Sequence, residues 1–451
     1  MRRRIRELNT PDGYIYPSDL IEKLRQIWTK KRYPIEKAPT FPDVRIVRRL
    51  LEVAYHTTFM TDETRPSRFS LMYCSPRQWD SYLSSPVGKS YVPNYARISY
   101  AFDEIAMRAL CQAVDARRVS IVVQDADFGS RQRRRTPRLE IKGLLDRGSG
   151  YSHAERGEAR EGPKLPPFLT VIALRPGTIS LYRSGEFLLG LAYGKVASQE
   201  GQSLDNGPIP DFFRESSEAL EAELRSRIGQ DKYDCVSGLM DSASEQLFAS
   251  VRRILLKIAD AGHGGTLIVV PDEIQAHDPR LTQRLRIKYR CYIDRGWKAL
   301  VDLVDTDGAW NALQASLGDE RSHSHEDLAL EAIQLHNTLI WVRTALDDCL
   351  TFIADLARVD GAVVITDRLT VLGFGAEVIV GPSGLSHVVD QSANRYAGRT
   401  VSIEDFGTRH RSAFRLCSNY ESALASIVSQ DGAIRAARRI GRDLAFWPNL
   451  T

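Results

Sequence analysis

The sequence of 451 residues lacks the features that mark several large protein classes. It has only six cysteines and no CxxC pair, which excludes a zinc ribbon and argues against a disulfide scaffold. No segment approaches the run of about 20 apolar residues that a membrane helix requires. The basic start of the chain is not followed by the apolar core of a secretory signal. We therefore expect a cytoplasmic protein with reduced, buried thiols and no membrane partner.

The sequence also lacks a strong net charge of either sign. Its formal charge is +4, which alone does not predict nucleic-acid binding. A local basic group consists of Arg131, Arg133, Arg134, Arg135 and Arg138. Such a group is able to bind a phosphate-rich partner, but Thr136-Pro137 marks a turn there and favours a solvated surface loop. We therefore give nucleic acid little weight as a partner.

The pattern along the chain predicts more than one folding unit. The length corresponds to about three units of roughly 150 residues each, or to two units with large insertions. Residues 16–118 show mostly helical spacing of apolar residues, whereas residues 119–191 contain several short strand patterns. A strong turn signal follows at Asp205-Asn206-Gly207-Pro208. These patterns predict an α+β domain over residues 1–210 and a helical connector over residues 211–260.

Residues 261–451 are predicted to form an α/β domain. The run Gly265–Val270 is short and apolar, as in a buried central strand. A polar stretch over residues 272–322 separates this run from a long helix at about residues 325–358.

Two motifs in the last hundred residues carry chemistry. They are Asp360-Gly361-Ala362 and Gly407-Thr408-Arg409-His410-Arg411. In the second motif, glycine permits close backbone approach, while the threonine hydroxyl, free N–H groups and guanidinium groups are suited to phosphate oxygens. Asp360 is able to hold a divalent metal or to accept a proton from a hydroxyl nucleophile. The residues alone predict a phosphate site with an acid nearby; the alternatives are a solvated helix face and a simple turn residue.

Taken together, the two motifs resemble those of the diadenylate cyclase (DAC) domain family. Residues 355–362 are more similar to the corresponding segment of the DNA integrity scanning protein than to that of the membrane-bound cyclases. The strand Gly265–Val270 resembles the first strand of the family, in which a small residue precedes an apolar run. The resemblance covers roughly residues 245–440, less an insertion at about residues 272–322.

The resemblance implies a mixed sheet flanked by helices and the condensation of two ATP into cyclic di-AMP with release of two pyrophosphates. It implies catalytic roles for Asp360, Arg409, His410 and Arg411, with Mg²⁺ or Mn²⁺ held by Asp360. It implies substrate-binding roles for Gly361, Ala362, Gly407, Thr408 and Ser429. Because two such domains meet face to face, it also implies a homo-oligomer, at least a transient one. Residues 1–210 would then be a sensor or regulatory domain.

One loop departs from the family pattern. Many members continue Val-Ser-Glu-Glu-Thr-Gly after the basic motif, whereas this chain reads Val428-Ser429-Gln430-Asp431-Gly432. The loop is shorter, and Asp431 only loosely replaces a glutamate. The alternative is therefore a catalytically inactive sensor that binds ATP or cyclic di-AMP in the same fold.

Overall fold

The computed structural model describes residues 14–30, 40–62, 65–85, 95–116, 118–126, 137–146, 166–192, 194–197, 208–230, 233, 243–317, 325–381, 386–391, 398–430, 432–448 and 450. These residues form a mixed α/β structure with two large mixed sheets flanked by helices, which confirms the predicted fold class. The contacts within the chain divide it into two units, Met1–Gly201 and Gln202–Thr451.

The first unit is built around an eight-stranded sheet. Its helices are α1 Leu20–Lys30, α2 Val44–Thr57, α3 Pro76–Ser84 and α4 Glu104–Cys111. Its strands are β1 Thr61–Asp62, β2 Arg65–Pro66, β3 Phe69–Tyr73, β4 Tyr95–Ala101, β5 Val119–Asp125, β6 Leu139–Asp146, β7 Leu169–Ala173, β8 Thr178–Arg183, β9 Glu186–Ala192 and β10 Lys195–Ala197. The sheet has the order β10-β9-β8-β7-β3-β5-β6-β4, and within it only β3 and β5 are parallel neighbours.

The strands predicted after residue 118 are confirmed as β5 to β9, but the prediction of a mostly helical zone over residues 16–118 was incomplete. That zone also contributes β3 and β4 to the sheet. All five residues of β3 are buried, so the strand lacks the alternation that identifies a half-buried strand. The edge strand β4 is exposed along most of its length, so it has no buried face that would require apolar residues at alternate positions of its sequence.

The second unit is built around a nine-stranded sheet. Its helices are α5 Pro208–Phe212, α6 Arg214–Ile228, α7 Ala243–Ala261, α8 Pro279–Thr282, α9 Arg295–Leu317, α10 His325–Leu356 and α11 Thr408–Asn419. Its strands are β11 Gly265–Val270, β12 Leu285–Ile293, β13 Ala362–Thr366, β14 Val371–Val378, β15 His387–Asp390, β16 Thr400–Ser402, β17 Leu424–Val428, β18 Ile434–Ile440 and β19 Asp443–Trp447. The order is β12-β14-β13-β11-β17-β18-β19-β15-β16, with β11 parallel to β13 and β15 parallel to β19.

Strand β11 lies in the middle of this sheet and is buried on both faces. Leu267 and Val269 pack in a cluster with α7, α9 and α10, whereas Ile268 and Val270 belong to a cluster that includes residues of α11. This two-sided burial explains why the strand reads as a continuous apolar run.

Two segments that the sequence did not assign to the core belong to it. Residues 272–322 contain β12, which pairs with β14, and α9, whose Leu300 and Val301 are fully buried. In residues 211–260, α6 and α7 contribute to the same apolar cluster as β11. The helices of the expected connector are therefore part of the second unit's core. Because β12 and α9 each carry exposed polar residues beside their buried ones, the segment reads as polar in the sequence.

The described residues can be compared with the expectations for membrane helices, for cysteines and for the basic group. None of the described helices is long and apolar enough to cross a membrane. The five described cysteines are free, and four of them are buried: Cys74, Cys111, Cys349 and Cys417. Cys235 and the four arginines at 131–135 lie outside the described residues, while Arg138 forms an ion pair with Glu140 at 3.2 Å.

Candidate functional site

Several segments of the second unit meet at one edge of its sheet. The amino ends of the parallel strands β11 and β13 lie side by side there, with Thr266 opposite Ala362. Strand β17 runs antiparallel to β11 and ends at this edge, with Val428 opposite Gly265. Strand β18 then begins at the same edge, with Ile434 opposite Val428. The sheet therefore brings together the loops that precede β11 and β13 and the loop that joins β17 to β18.

The Asp360-Gly361-Ala362 motif forms the turn between α10 and β13. Asp360 is exposed, and Ala362 is buried at the start of the strand. Gly361 has a φ of +113°, and a Cβ there would lie 2.6 Å from the carbonyl carbon of Gly375 in β14. The backbone alone therefore requires glycine at this position, and its close packing places Asp360 beside the sheet edge.

The basic motif forms the start of α11. Helix α11 begins at Thr408, and Gly407 is its N-cap residue, with no side-chain cap. The first turn has no acidic residue, and a Cβ on Gly407 would meet nothing within 4 Å. The free N–H groups of such a helix end attract anions. Open space around Gly407 leaves room for a ligand to approach them.

Arg409 of the basic motif lines the same cleft as Asp360 and Gly361 of the other motif. Its Nη1 lies 2.7 Å from the position that a Cβ on Gly264 would occupy, so the guanidinium packs directly against the loop before β11. Residues 263–265, 357–361 and Arg409 bound a cleft of about 130 Å³ that contains Asp360. Among the described residues, no carboxylate lies within ion-pair distance of Arg409. The cleft thus combines an exposed acid with a cation that forms no ion pair within the described part of the chain.

His410, Arg411 and Ser429 lie near this edge but do not bound the cleft. Arg411 forms an ion pair with Glu404 at 3.0 Å, which neutralises part of its charge. The imidazole of His410 packs against the rings of Phe406 and Phe414, with centroid distances of 5.7 and 6.2 Å. The predicted set therefore divides into Asp360, Gly361 and Arg409 in the cleft and a second group beside it.

The structure adds two residues that the sequence did not assign to a site. His263 bounds the cleft, and its Nδ1 lies 2.6 Å from the carbonyl oxygen of Gly264. Arg435 in β18 lies within 3.2 Å of the Ser429 hydroxyl and 3.4 Å of His410 Nε2. No sequence signal distinguishes Arg435 from the other arginines of its strand.

The described residues contain no group of three or more His, Cys, Asp or Glu side chains that would hold a metal ion by themselves. Asp360 is a single carboxylate in the cleft. Magnesium in nucleotide sites is commonly held by one or two carboxylates together with substrate phosphates and waters. Among the described residues, this single carboxylate fits a metal ion whose other ligands are phosphate oxygens and waters, rather than one held by protein side chains alone. Asp431 lies outside the described residues.

Comparison with known proteins bears on the first unit. Residues 36–143 match the family model described as "Probable sensor domain DACNV". That sensor domain is associated with diadenylate cyclase proteins. The first unit therefore contains a segment similar to a sensor domain that is associated with diadenylate cyclases. It covers less than half of the chain and does not extend into the second unit. No curated protein and no solved structure matches the chain.

Proposed function

We propose that the second unit is a diadenylate cyclase, which condenses two ATP into cyclic di-AMP and two pyrophosphates, and that the first unit regulates it. The observation that carries this proposal is the presence of Asp360 and Arg409, from two distant motifs, in one cleft. The sensor match supports it independently, because residues 36–143 share nothing with those motifs.

In this proposal the basic motif binds the triphosphate. Arg409 offers a guanidinium without a described acidic partner, and hydrogen bonds between arginine and phosphate are strong because both groups are charged. The N–H groups at the start of α11 and the Thr408 hydroxyl add donors beside it. These groups orient the polyphosphate and stabilise the negative charge that develops on the departing pyrophosphate.

Asp360 would hold the metal ion together with phosphate oxygens. A bound Mg²⁺ or Mn²⁺ supplies positive charge at the α-phosphate and at the leaving group. The carboxylate is also suited to accept the proton of a ribose 3′-hydroxyl. The 3′ oxygen then bonds to the α-phosphorus of the other ATP, and the bond from that phosphorus to the bridging oxygen breaks to release pyrophosphate. Two such steps close the ring.

The proposed reaction takes place between two copies. Asp360 and Arg409 bound one cleft of about 130 Å³. In the proposal this cleft holds the phosphates of one nucleotide, and a second copy holds the other nucleotide. Each copy then presents a 3′-hydroxyl to the α-phosphate that the other holds, so a homodimer is needed at least during the reaction.

The first prediction tests the reaction itself. The full chain, incubated with a mixture of nucleoside triphosphates and Mg²⁺ or Mn²⁺, is expected to yield cyclic di-AMP by mass spectrometry. Asp360→Asn is expected to lower the rate by about a thousand-fold or more, because it removes the acid of the cleft. Asp348→Asn, at an exposed acid on α10 outside the cleft, is the matched control and should retain activity.

Calorimetry with ATP separates the outcomes. If the wild-type chain yields no cyclic dinucleotide under these conditions but binds ATP, the site is that of a nucleotide sensor and the enzymatic proposal fails. If it neither reacts with nor binds any nucleotide, the assignment of the cleft fails as well.

A further inference from the structure

Arg435 joins two parts of the candidate site that are distant in sequence. It is half-buried near the start of β18, opposite Ile427 of β17. Its Nη1 donates a hydrogen bond to Ser429 Oγ at 3.2 Å and lies 3.4 Å from Nε2 of His410 in α11. One guanidinium therefore contacts both a residue of the basic motif and a residue of the divergent loop.

The register of β18 explains why Arg435 points towards α11. Ile434 and Ala436 pack in the cluster on the face covered by α7, whereas Ala437 packs with Phe414 of α11 on the opposite face. Because successive side chains of a strand alternate between faces, Arg435 lies on the same face as Ala437. No carboxylate among the described residues lies within ion-pair distance of Arg435. Its charge is therefore not neutralised within that part of the chain.

The contact with His410 constrains the imidazole. A guanidinium has only donors, so a hydrogen bond across this 3.4 Å forms only when Nε2 of His410 is the acceptor and the ring proton is on Nδ1. The rings of Phe406 and Phe414 pack against the same imidazole, which limits its rotation. Arg435 therefore favours the Nδ1–H tautomer of His410, and the two rings limit the orientations of its imidazole.

The contact with Ser429 changes what that hydroxyl is able to do. Ser429 Oγ donates its proton to the carbonyl oxygen of Ala433 at 3.1 Å. In this arrangement it accepts from Arg435 and has no proton left for a phosphate oxygen. The remaining N–H groups of Arg435 lie beside the position where the sequence places a phosphate-binding serine.

We propose that Arg435 is a positioning residue of the nucleotide site: it holds His410 as the Nδ1–H tautomer, holds Ser429 as an acceptor, and adds its positive charge to the attraction for the polyphosphate. This inference rests on the proposed function for the identity of the nucleotide. Its structural part, the state of His410, does not depend on turnover.

The test compares Arg435→Gln and Arg435→Lys with Arg442→Gln in the full chain. Arg442 is an exposed arginine in the turn between β18 and β19, so its replacement removes the same charge away from the site. The ¹⁵N shifts of the His410 imidazole, assigned with His410→Gln, report the tautomer. Affinities for ATP and inorganic tripolyphosphate are measured by calorimetry, and kcat and KM by product formation.

Arg435→Gln is expected to abolish the preference for the Nδ1–H tautomer and to weaken ATP and tripolyphosphate binding by about ten-fold or more, because a charge-assisted hydrogen bond is lost. Arg435→Lys should recover most of the tripolyphosphate affinity, since the charge is retained, but not the tautomer. In an active enzyme KM rises by a similar factor in Arg435→Gln. Arg442→Gln should change none of these.

Unchanged His410 shifts together with control-like affinities in Arg435→Gln would overturn the inference. Because the ¹⁵N and tripolyphosphate measurements need no catalysis, they decide it even if the wild-type chain forms no cyclic dinucleotide. If Arg435→Gln does not fold, as judged by circular dichroism, Arg435→Lys alone decides it, and a wild-type tautomer in that variant counts against the role of the guanidinium.

Discussion

Gly361, Gly264 and Gly407 lie in three loops that meet at the candidate site, and they differ in the space around them. Gly361 and Gly264 have φ values of +113° and +67°, and a Cβ on either would lie under 3.0 Å from a neighbouring atom. Gly407 has an ordinary φ of −68°, and nothing lies within 4 Å of its missing Cβ. Packing requires the first two glycines, whereas the third leaves room for a ligand.

The two motif glycines are therefore expected to respond differently to the same change. Gly361→Ala should lower the free energy of unfolding by about 2 to 4 kcal/mol, because the new Cβ collides with β14 and the backbone angle is strained. Gly407→Ala should lower it by only about 1 kcal/mol or less, because alanine is a poorer N-cap residue, and should also act on ATP affinity. Urea unfolding and calorimetry measure the two effects. Equal losses of stability in the two variants would contradict this account.

At the scale of elements, the opposite edge of the same sheet carries a buried acid. Asp367 follows β13, is 5% exposed and has one carboxylate oxygen without a hydrogen-bond partner among the described residues. Burial raises its pKa to about 6, although a hydrogen bond from Ser216 of α6 opposes the shift. The neighbouring Asp272, which accepts a hydrogen bond from Thr366 at 3.0 Å, raises it further. The contact between α6 and this turn therefore contains an acid that is costly to ionise.

Asp347 is a less buried acid whose pKa is shifted in the opposite direction. It is half-buried between α7 and α10, and burial alone would raise its pKa. Lys257 and Arg253 lie at 2.9 Å from its carboxylate and hold the pKa below the ordinary value. The partners supplied by the facing helix decide the sign of the shift. Asp347 therefore stabilises the packing of α7 on α10 at neutral pH, and this stabilisation is lost in acid.

The pKa of Asp367 predicts a pH dependence of stability. Above pH 6 the carboxylate is ionised in both the folded and the unfolded chain, and burial of the charge destabilises the fold. As the pH falls below 6 the folded chain takes up the proton first, so stability rises towards pH 4, by on the order of 2 to 3 kcal/mol for this group. Asp367→Asn should raise the thermal unfolding midpoint at pH 7.5 and reduce its increase on acidification.

Asp443→Asn, at an exposed position that begins β19, serves as the control for this change of charge. A lower midpoint in Asp367→Asn at pH 7.5, or an unchanged pH dependence, would show that the ionised Asp367 is not destabilising.

At the scale of the whole molecule, the sensor match and the candidate site lie in different units. Residues 36–143 belong to Met1–Gly201, and the cleft belongs to Gln202–Thr451. The proposed reaction needs two 3′-hydroxyl attacks on two nucleotides, so the proposal requires two chains to meet. In the proposal, the first unit regulates the reaction by changing how readily two second units meet.

A mixing experiment tests this requirement. Wild-type chain, pre-equilibrated with an excess of Asp360→Asn chain, should lose turnover per wild-type chain, because a mixed pair completes at most one of the two attacks. An equal excess of Asp348→Asn chain should not cause this loss. Sedimentation velocity at the same concentrations measures the fraction of dimer, and turnover per wild-type chain should rise with that fraction in the unmixed protein. Turnover that is unaffected by either partner would show that one chain acts alone.

Several elements of the second unit could be predicted because their signals are local. The apolar run of β11 and the long helix α10 read directly from residue spacing, and the turn at Asp360 follows from their ends. Strands β3 and β12 were not predicted. The first is buried throughout and shows no alternation, and the second is an edge strand whose exposed tyrosines and arginines read as a polar loop.

The two motifs, the helix start at Gly407-Thr408 and the mixed α/β class can be predicted from local patterns, since they depend on neighbouring residues and on their spacing. That Asp360 and Arg409 share a cleft, and that Arg435 contacts His410 and Ser429, became visible only in the folded chain. The cause is the sheet register. Hydrogen bonds between β11, β13, β17 and β18 place the ends of distant segments at one edge, and no local pattern records which ends will meet there.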